Sequence, residues 1–203
     1  MIGLLLLLAA TPASTGPARV DPGLEPEDVE DQYRAFATGK GRAGDAAELV
    51  CGPFAEGLRL CFSHPVGKKR VYYTRADGKS LADLVDAGVG TDEEAVARLE
   101  EVKVEGFTRS YWLSAKGDGR DHLPALHPEA LRRKLGGDPS IAVPARGVLV
   151  AWVHGDPEFD KVVAVGALKM HETMPDAVSP LVYRWDGKTW VAWARAKEAG
   201  ATP

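Results

Sequence analysis

Apolar positions in this chain fall into helix-like and strand-like groups, preceded by one segment that belongs to neither. That segment is an uncharged run, Ile2, Leu4 to Leu8, Ala9 and Ala10, which ends in small residues and prolines. An apolar run of about 7–15 residues before a small-residue cleavage site reads as a secretory signal, and it is shorter than the ~20 residues of a membrane-spanning helix. Residues 1–18 are therefore expected to form a signal peptide. Cleavage after Ala13 would use Thr11 and Ala13 as the small residues, and cleavage after Ala18 would use Gly16 and Ala18. No Lys or Arg precedes the run, and a buried N-terminal element is the competing reading.

Residues 19–26 are rich in Pro and Gly and read as a disordered linker, with a single α+β domain over 27–197. From Pro26, Val29, Tyr33 and Phe36 recur at helical spacing behind an acidic first turn, and Gly39 ends that helix. Leu58, Leu60 and Phe62 alternate as in a strand, and Val71 to Thr74 is rich in β-formers, so the two are expected to pair across Pro65 to Lys69. Ser80 is placed to cap a helix with Leu81, Leu84 and Val85, stopped by Gly88. Thr91 and Glu94 form a capping box ahead of Val96, Leu99 and Val102. Phe107 to Leu113 reads as a strand, and Pro128 opens a helix closed by Gly136 and Gly137.

The last sixty residues carry the clearest pattern. Val148 to Val153 reads as a strand buried on both faces, and Pro157 opens a largely apolar helix that cannot continue through Pro175. Leu181 to Trp185 and Thr189 to Ala194 flank Asp186-Gly187, a hairpin turn signal. The expected fold is α+β, with helices packed on an antiparallel or mixed sheet and a strand-helix-hairpin unit at the end.

Composition adds two constraints. A net charge of −4 gives no attraction to a phosphate backbone, so nucleic acid is not an expected partner. The two cysteines, Cys51 and Cys61, would meet an oxidising compartment after export and are expected to form a disulfide worth about 2–3 kcal/mol. Their spacing lacks the Cys-x-x-Cys form of a redox pair.

The stretch Ile141-Ala142-Val143-Pro144-Ala145-Arg146-Gly147-Val148-Leu149-Val150, with Val178-Ser179-Pro180-Leu181-Val182-Tyr183 after the apolar helix, resembles the YtpQ-like bacterial proteins. The resemblance covers about a third of the chain and has no clear match before about residue 107. It implies an α+β fold and brings no catalytic residues, since that family's role is unknown.

Candidate chemistry is sparse. His122 and His127 straddle Pro124 and could converge only through a loop, while His171-Glu172 lacks the second His of a zinc-protease helix. Asp118 and Asp121 are interrupted by Arg120, and Asp156, Glu158 and Asp160 sit at an expected helix start, where the dipole favours them. Ser63, Ser110, Ser114, Ser140 and Ser179 lack the Gly-x-Ser-x-Gly elbow. No catalytic residue, cofactor or metal ligand is assigned. Trp185, Trp190 and Trp193 on the final hairpin are a candidate interaction surface, although core or cross-strand packing is the favoured reading of such residues.

These features describe an exported protein, secreted or periplasmic, with no membrane span once the signal is removed. Its expected work is to bind an unknown protein or small molecule at the cell envelope. The alternative is a small secreted hydrolase or metal-dependent enzyme assembled from His122, His127 and Asp121. A structural interaction module with an exposed apolar patch around the Trp hairpin is the third.

Overall fold

The computed structural model describes residues 20–26, 49–66 and 69–195. The proposed signal peptide and the helix expected between Pro26 and Gly39 lie outside those residues, with only Pro26 itself described.

Strand β1 (Asp21–Pro26) occupies most of the segment expected to be a disordered linker. Its register explains how a Pro- and Gly-rich sequence enters a sheet. Pro22, Leu24 and Pro26 share one parity against β3, and the Leu24 N–H points away from β3 to donate to His122. The prolines therefore stand where no ladder donor is required, as on other edge strands. Leu24 is fully buried and Glu25 nearly so.

β2 (Cys51–Ala55) and β3 (Leu58–Val66) form a tight hairpin across Glu56 and Gly57, and Gly57 takes the left-handed backbone the turn requires (φ 72°). β4 (Lys69–Tyr72) pairs with the far end of β3, from Ser63 opposite Tyr72 to Val66 opposite Lys69, so the expected pairing forms but takes in Pro65, Val66 and Lys69, which the sequence reading places in the loop. The four strands make one antiparallel sheet in which β3 lies between β1 and β2. Cys51 and Cys61 stand directly opposite each other in β2 and β3 and are joined as a disulfide. Their Cα separation of 4.3 Å is that of a non-hydrogen-bonded antiparallel pair.

Helix α1 (Leu81–Gly88) begins at Ser80, whose side chain accepts from the Asp83 N–H in a capping box. Gly88 is the last helical residue and also serves close packing: a Cβ there would come within 2.9 Å of the Phe62 ring. α2 (Asp92–Val96) starts at the Thr91–Glu94 capping box but ends before Leu99 and Val102. Val102 instead falls in β5 (Glu100–Lys103), which pairs with β6 (Ser110–Ser114), so strand pairing overrides helical spacing there. Phe107, ahead of β6, packs its ring on Phe159. α3 (Pro128–Leu135) has Pro at its start and a left-handed Gly136 at its end.

β7 (Pro139–Ala142), β8 (Leu149–Val153), β9 (Leu181–Trp185) and β10 (Trp190–Arg195) complete the second sheet, antiparallel throughout in the order β10-β9-β7-β8-β6-β5, with helix α4 (Pro157–Thr173) between β8 and β9 in sequence. β9 and β10 pair across the Asp186-Gly187 turn, with Trp185 opposite Trp190.

Both faces of β8 are covered. Val150 and Trp152 pack with Phe159, Val163, Ala164 and Ala167 of α4. Leu149 and Ala151 join a cluster that includes Leu24 and Leu58 of the first sheet and Leu131 of α3. The first sheet and α3 thus share an apolar core with one face of the second sheet, while α4 covers the other. The resulting architecture is α+β, and among the described residues no helix is long and apolar enough to cross a membrane.

Candidate functional site

The polar groups that β1 buries meet loops of the second half of the chain in a cleft of about 180 Å³. Gly23, Glu25, Cys61, Ser63 and Tyr72 supply the wall on the first sheet. Gly117, Gly119 and His122 come from the loop after β6, Arg146 and Gly147 from the β7–β8 loop, and Asp176 from the loop after α4. Several of these loop positions have left-handed backbone, including Gly147 (φ 72°) and the non-glycine Asp176 (φ 56°). The Asp176 carbonyl accepts from the Arg146 N–H at 2.9 Å, which ties two of the loops together.

Glu25 is the central charged group, 3% exposed. Its Oε1 accepts from the Tyr72 hydroxyl at 2.6 Å and its Oε2 from Arg146 Nη2 at 2.8 Å. The Arg146 guanidinium also lies 5.8 Å from the centre of the Tyr72 ring, and its side chain remains 36% exposed. A buried carboxylate is tolerable only when paired and hydrogen-bonded, which is the arrangement here.

His122 is 2% exposed and its Nδ1 accepts from the Leu24 N–H at 3.3 Å. That bond requires a lone pair on Nδ1, so the neutral ring carries its proton on Nε2. Nε2 is itself buried and, among the described residues, has no hydrogen-bond partner of good geometry, although the Ala145 and Val148 carbonyls lie near enough to favour a charged ring. Burial outweighs them and the neighbouring Asp121, lowering the His122 pKa to about 4.

The residues considered for an enzyme do not converge. Asp121 is fully buried as a loop organiser: Oδ1 accepts from the Lys116 N–H at 2.6 Å and Ser114 Oγ at 3.2 Å, and Oδ2 from the Gly117 N–H at 3.0 Å. Arg98 lies 3.6 Å from its carboxylate. His127 belongs to another cluster, with Nδ1 2.7 Å from Asp92 Oδ1 and Nε2 2.9 Å from the Val89 carbonyl. The His127 contact is the chief cause holding the Asp92 carboxyl below the usual carboxylate range. Among the described residues, no group of three or more His, Cys, Asp and Glu side chains is arranged to hold a metal ion.

The acidic pair at the start of α4 also has structural work. Asp156 caps the helix by accepting from the Phe159 N–H. Asp160, 3% exposed, accepts from Trp152 Nε1 at 2.9 Å, the Gly155 N–H at 3.2 Å and Arg184 Nη2 at 3.2 Å.

The three hairpin tryptophans separate. Trp190 is 4% exposed and donates from Nε1 to the Ala125 carbonyl, so it belongs to the core and cannot form an interaction surface. Trp185 is half-buried against it, with ring centroids 5.4 Å apart, and donates to Glu129. Trp193 is 39% exposed, and the Arg184 guanidinium lies 3.5 Å from its ring centre.

Glu25, Tyr72 and Arg146 were not singled out from the sequence. Tyr72 and Arg146 lie 47 and 121 residues from Glu25, and the local sequence around Glu25 offers no more than an acidic residue between two prolines. A second groove, between α4 and β5–β6, is lined mainly by apolar residues such as Val102, Tyr111, Val162 and Met170 and gathers no comparable set of buried polar groups. No family model, curated protein or solved structure matches this chain.

Proposed function

We propose that this chain is an exported, non-catalytic binding domain whose ligand occupies the cleft between β1 and the loops carrying His122 and Arg146. The observation that carries the reading is a glycine-walled polar cleft built around the buried Glu25 carboxylate and its partly exposed partner Arg146. Small convergent polar groups in a concave site are what ligand recognition needs. Placement beyond a membrane is supported by the apolar N-terminal run and by the Cys51–Cys61 disulfide, because such bonds persist in oxidising compartments.

A thermal-shift screen of the oxidised chain against a diverse small-fragment library, followed by localisation of each hit by amide NMR, tests the binding reading. A ligand that binds the native state raises its melting temperature by mass action. The expected hits perturb the amides of Gly117, Gly119 and Gly147. Hits confined to other surfaces would remove the cleft from consideration. Cell fractionation tests the location, and intact precursor confined to the cytosol would defeat the export reading.

A further inference from the structure

Helix α4 buries one face against the second sheet and turns another to solvent, and the solvent face has an order of its own. Glu158, Val162, Val165 and Lys169 are all exposed and follow one another at intervals of four, three and four residues. That spacing lines them along one seam of the helix, of the kind through which two helices pack side by side. Val162 is 43% and Val165 46% exposed, whereas Phe159, Val163, Ala164 and Ala167 point into the fold. Valines scattered singly over a surface would need no explanation. These two stand at the centre of a seam that begins with a carboxylate and ends with an ammonium, and no ion pair among the described residues engages either charge.

The order of the charges selects the partner. In a parallel pair the seam would meet itself in register, with Glu158 against Glu158 and Lys169 against Lys169. In an antiparallel pair Glu158 faces Lys169 of the second copy and Val162 faces Val165, and a two-fold axis between Val163 and Ala164 repeats both contacts. Such a patch is self-complementary, as a two-fold interface requires.

The surroundings of the seam leave room for a second helix. Gly166, beside Val165, has nothing within 4 Å of the place a Cβ would occupy, so the partner's backbone can approach closely there. The groove of about 340 Å³ between α4 and β5–β6, lined by Val162 and Gly166, lies along the same flank. The seam itself is short, roughly 16 Å from Glu158 to Lys169 at the helical rise. An interface of that length belongs with the small, reversible contacts that bury less than about 1,200 Å².

We propose that α4 is a self-association surface, through which two copies of this chain pair antiparallel by Val162 and Val165 with reciprocal Glu158–Lys169 ion pairs. The proposal concerns a surface other than the cleft wall and stands whatever the cleft binds.

Sedimentation velocity and amide NMR of the oxidised chain at low ionic strength test it, over about 10 μM to 1 mM, where so small an interface should form and dissociate. The sedimentation coefficient should rise with concentration, and the amides of Val162, Val165 and Gly166 should shift as it does. Glu158→Lys and Lys169→Glu should each weaken association at least about fivefold, because each sets like charges together at both symmetry-related contacts. An equimolar mixture of the two variants should associate about as tightly as the wild type, since both contacts then join opposite charges between unlike chains. That recovery separates a lost contact from a lost fold.

A chain that stays monomeric at the highest concentration overturns the proposal. So does association that neither reversal weakens, or a mixture that associates no better than the single variants. Association that leaves the Val162 and Val165 amides unmoved also overturns it, and assigns the contact to another surface or to the chain's own termini.

Discussion

Acidification should loosen the molecule through His122. In the folded protein this ring stays neutral until about pH 4, whereas in the unfolded chain it takes up a proton near the ordinary value of 6.5. Between those values the unfolded state holds the extra proton, so folding stability is full above about pH 6.5 and declines as pH falls toward 4. The whole window corresponds to about 3 kcal/mol, of which about 2 kcal/mol is lost between pH 7.5 and 5. The geometric cause is specific: a proton on Nδ1 would face the Leu24 N–H that it now accepts from, on the strand that forms one wall of the cleft. Urea unfolding at pH 7.5 and 5.0 measures the effect. His122→Asn retains an acceptor near the Nδ1 position but does not titrate, so its stability should change far less across the same interval. Equal losses in the two proteins would refute the assignment of this pH dependence to His122.

Reducing the Cys51–Cys61 disulfide, or replacing both residues by Ala, should lower stability by about 3 kcal/mol for a separation of 10 residues; an unchanged urea midpoint would contradict this. Trp190→Ala should cost about 3–5 kcal/mol, and Trp193→Ala no more than about 1 kcal/mol, so comparable losses in thermal unfolding would contradict their separation into core and surface. Gly88→Ala should destabilise by about 1–3 kcal/mol through its clash with Phe62, despite the better helix propensity of Ala; a higher melting temperature would show that the ring moves freely aside.

Much of the local structure was legible because short-range rules and tertiary packing agreed. The Ser80 and Thr91 caps, the Pro128 and Pro157 helix starts and the Asp186-Gly187 turn all stand where the residue chemistry places them. The disulfide was legible from two cysteines and an inferred compartment, while their direct opposition in β2 and β3 depends on register. β1 was hidden because Pro and Gly usually mark loops, and only the direction of each N–H shows why an edge strand accepts them. β5 was hidden because Leu99 and Val102 satisfy helical spacing, and the partner strand that takes Val102 into a sheet begins at Ser110. The site was least legible of all. Glu25, Tyr72, His122 and Arg146 approach one another through sheet pairing and loop crossings, and no spacing in the sequence encodes that meeting.

A crystal structure of the oxidised chain with its best-binding fragment tests the central claim most directly. The account predicts ligand density between β1 and the 117–122 and 146–147 loops, with an oxygen within hydrogen-bonding distance of Arg146. Density for the ligand on another surface, with solvent alone in the cleft, would contradict it.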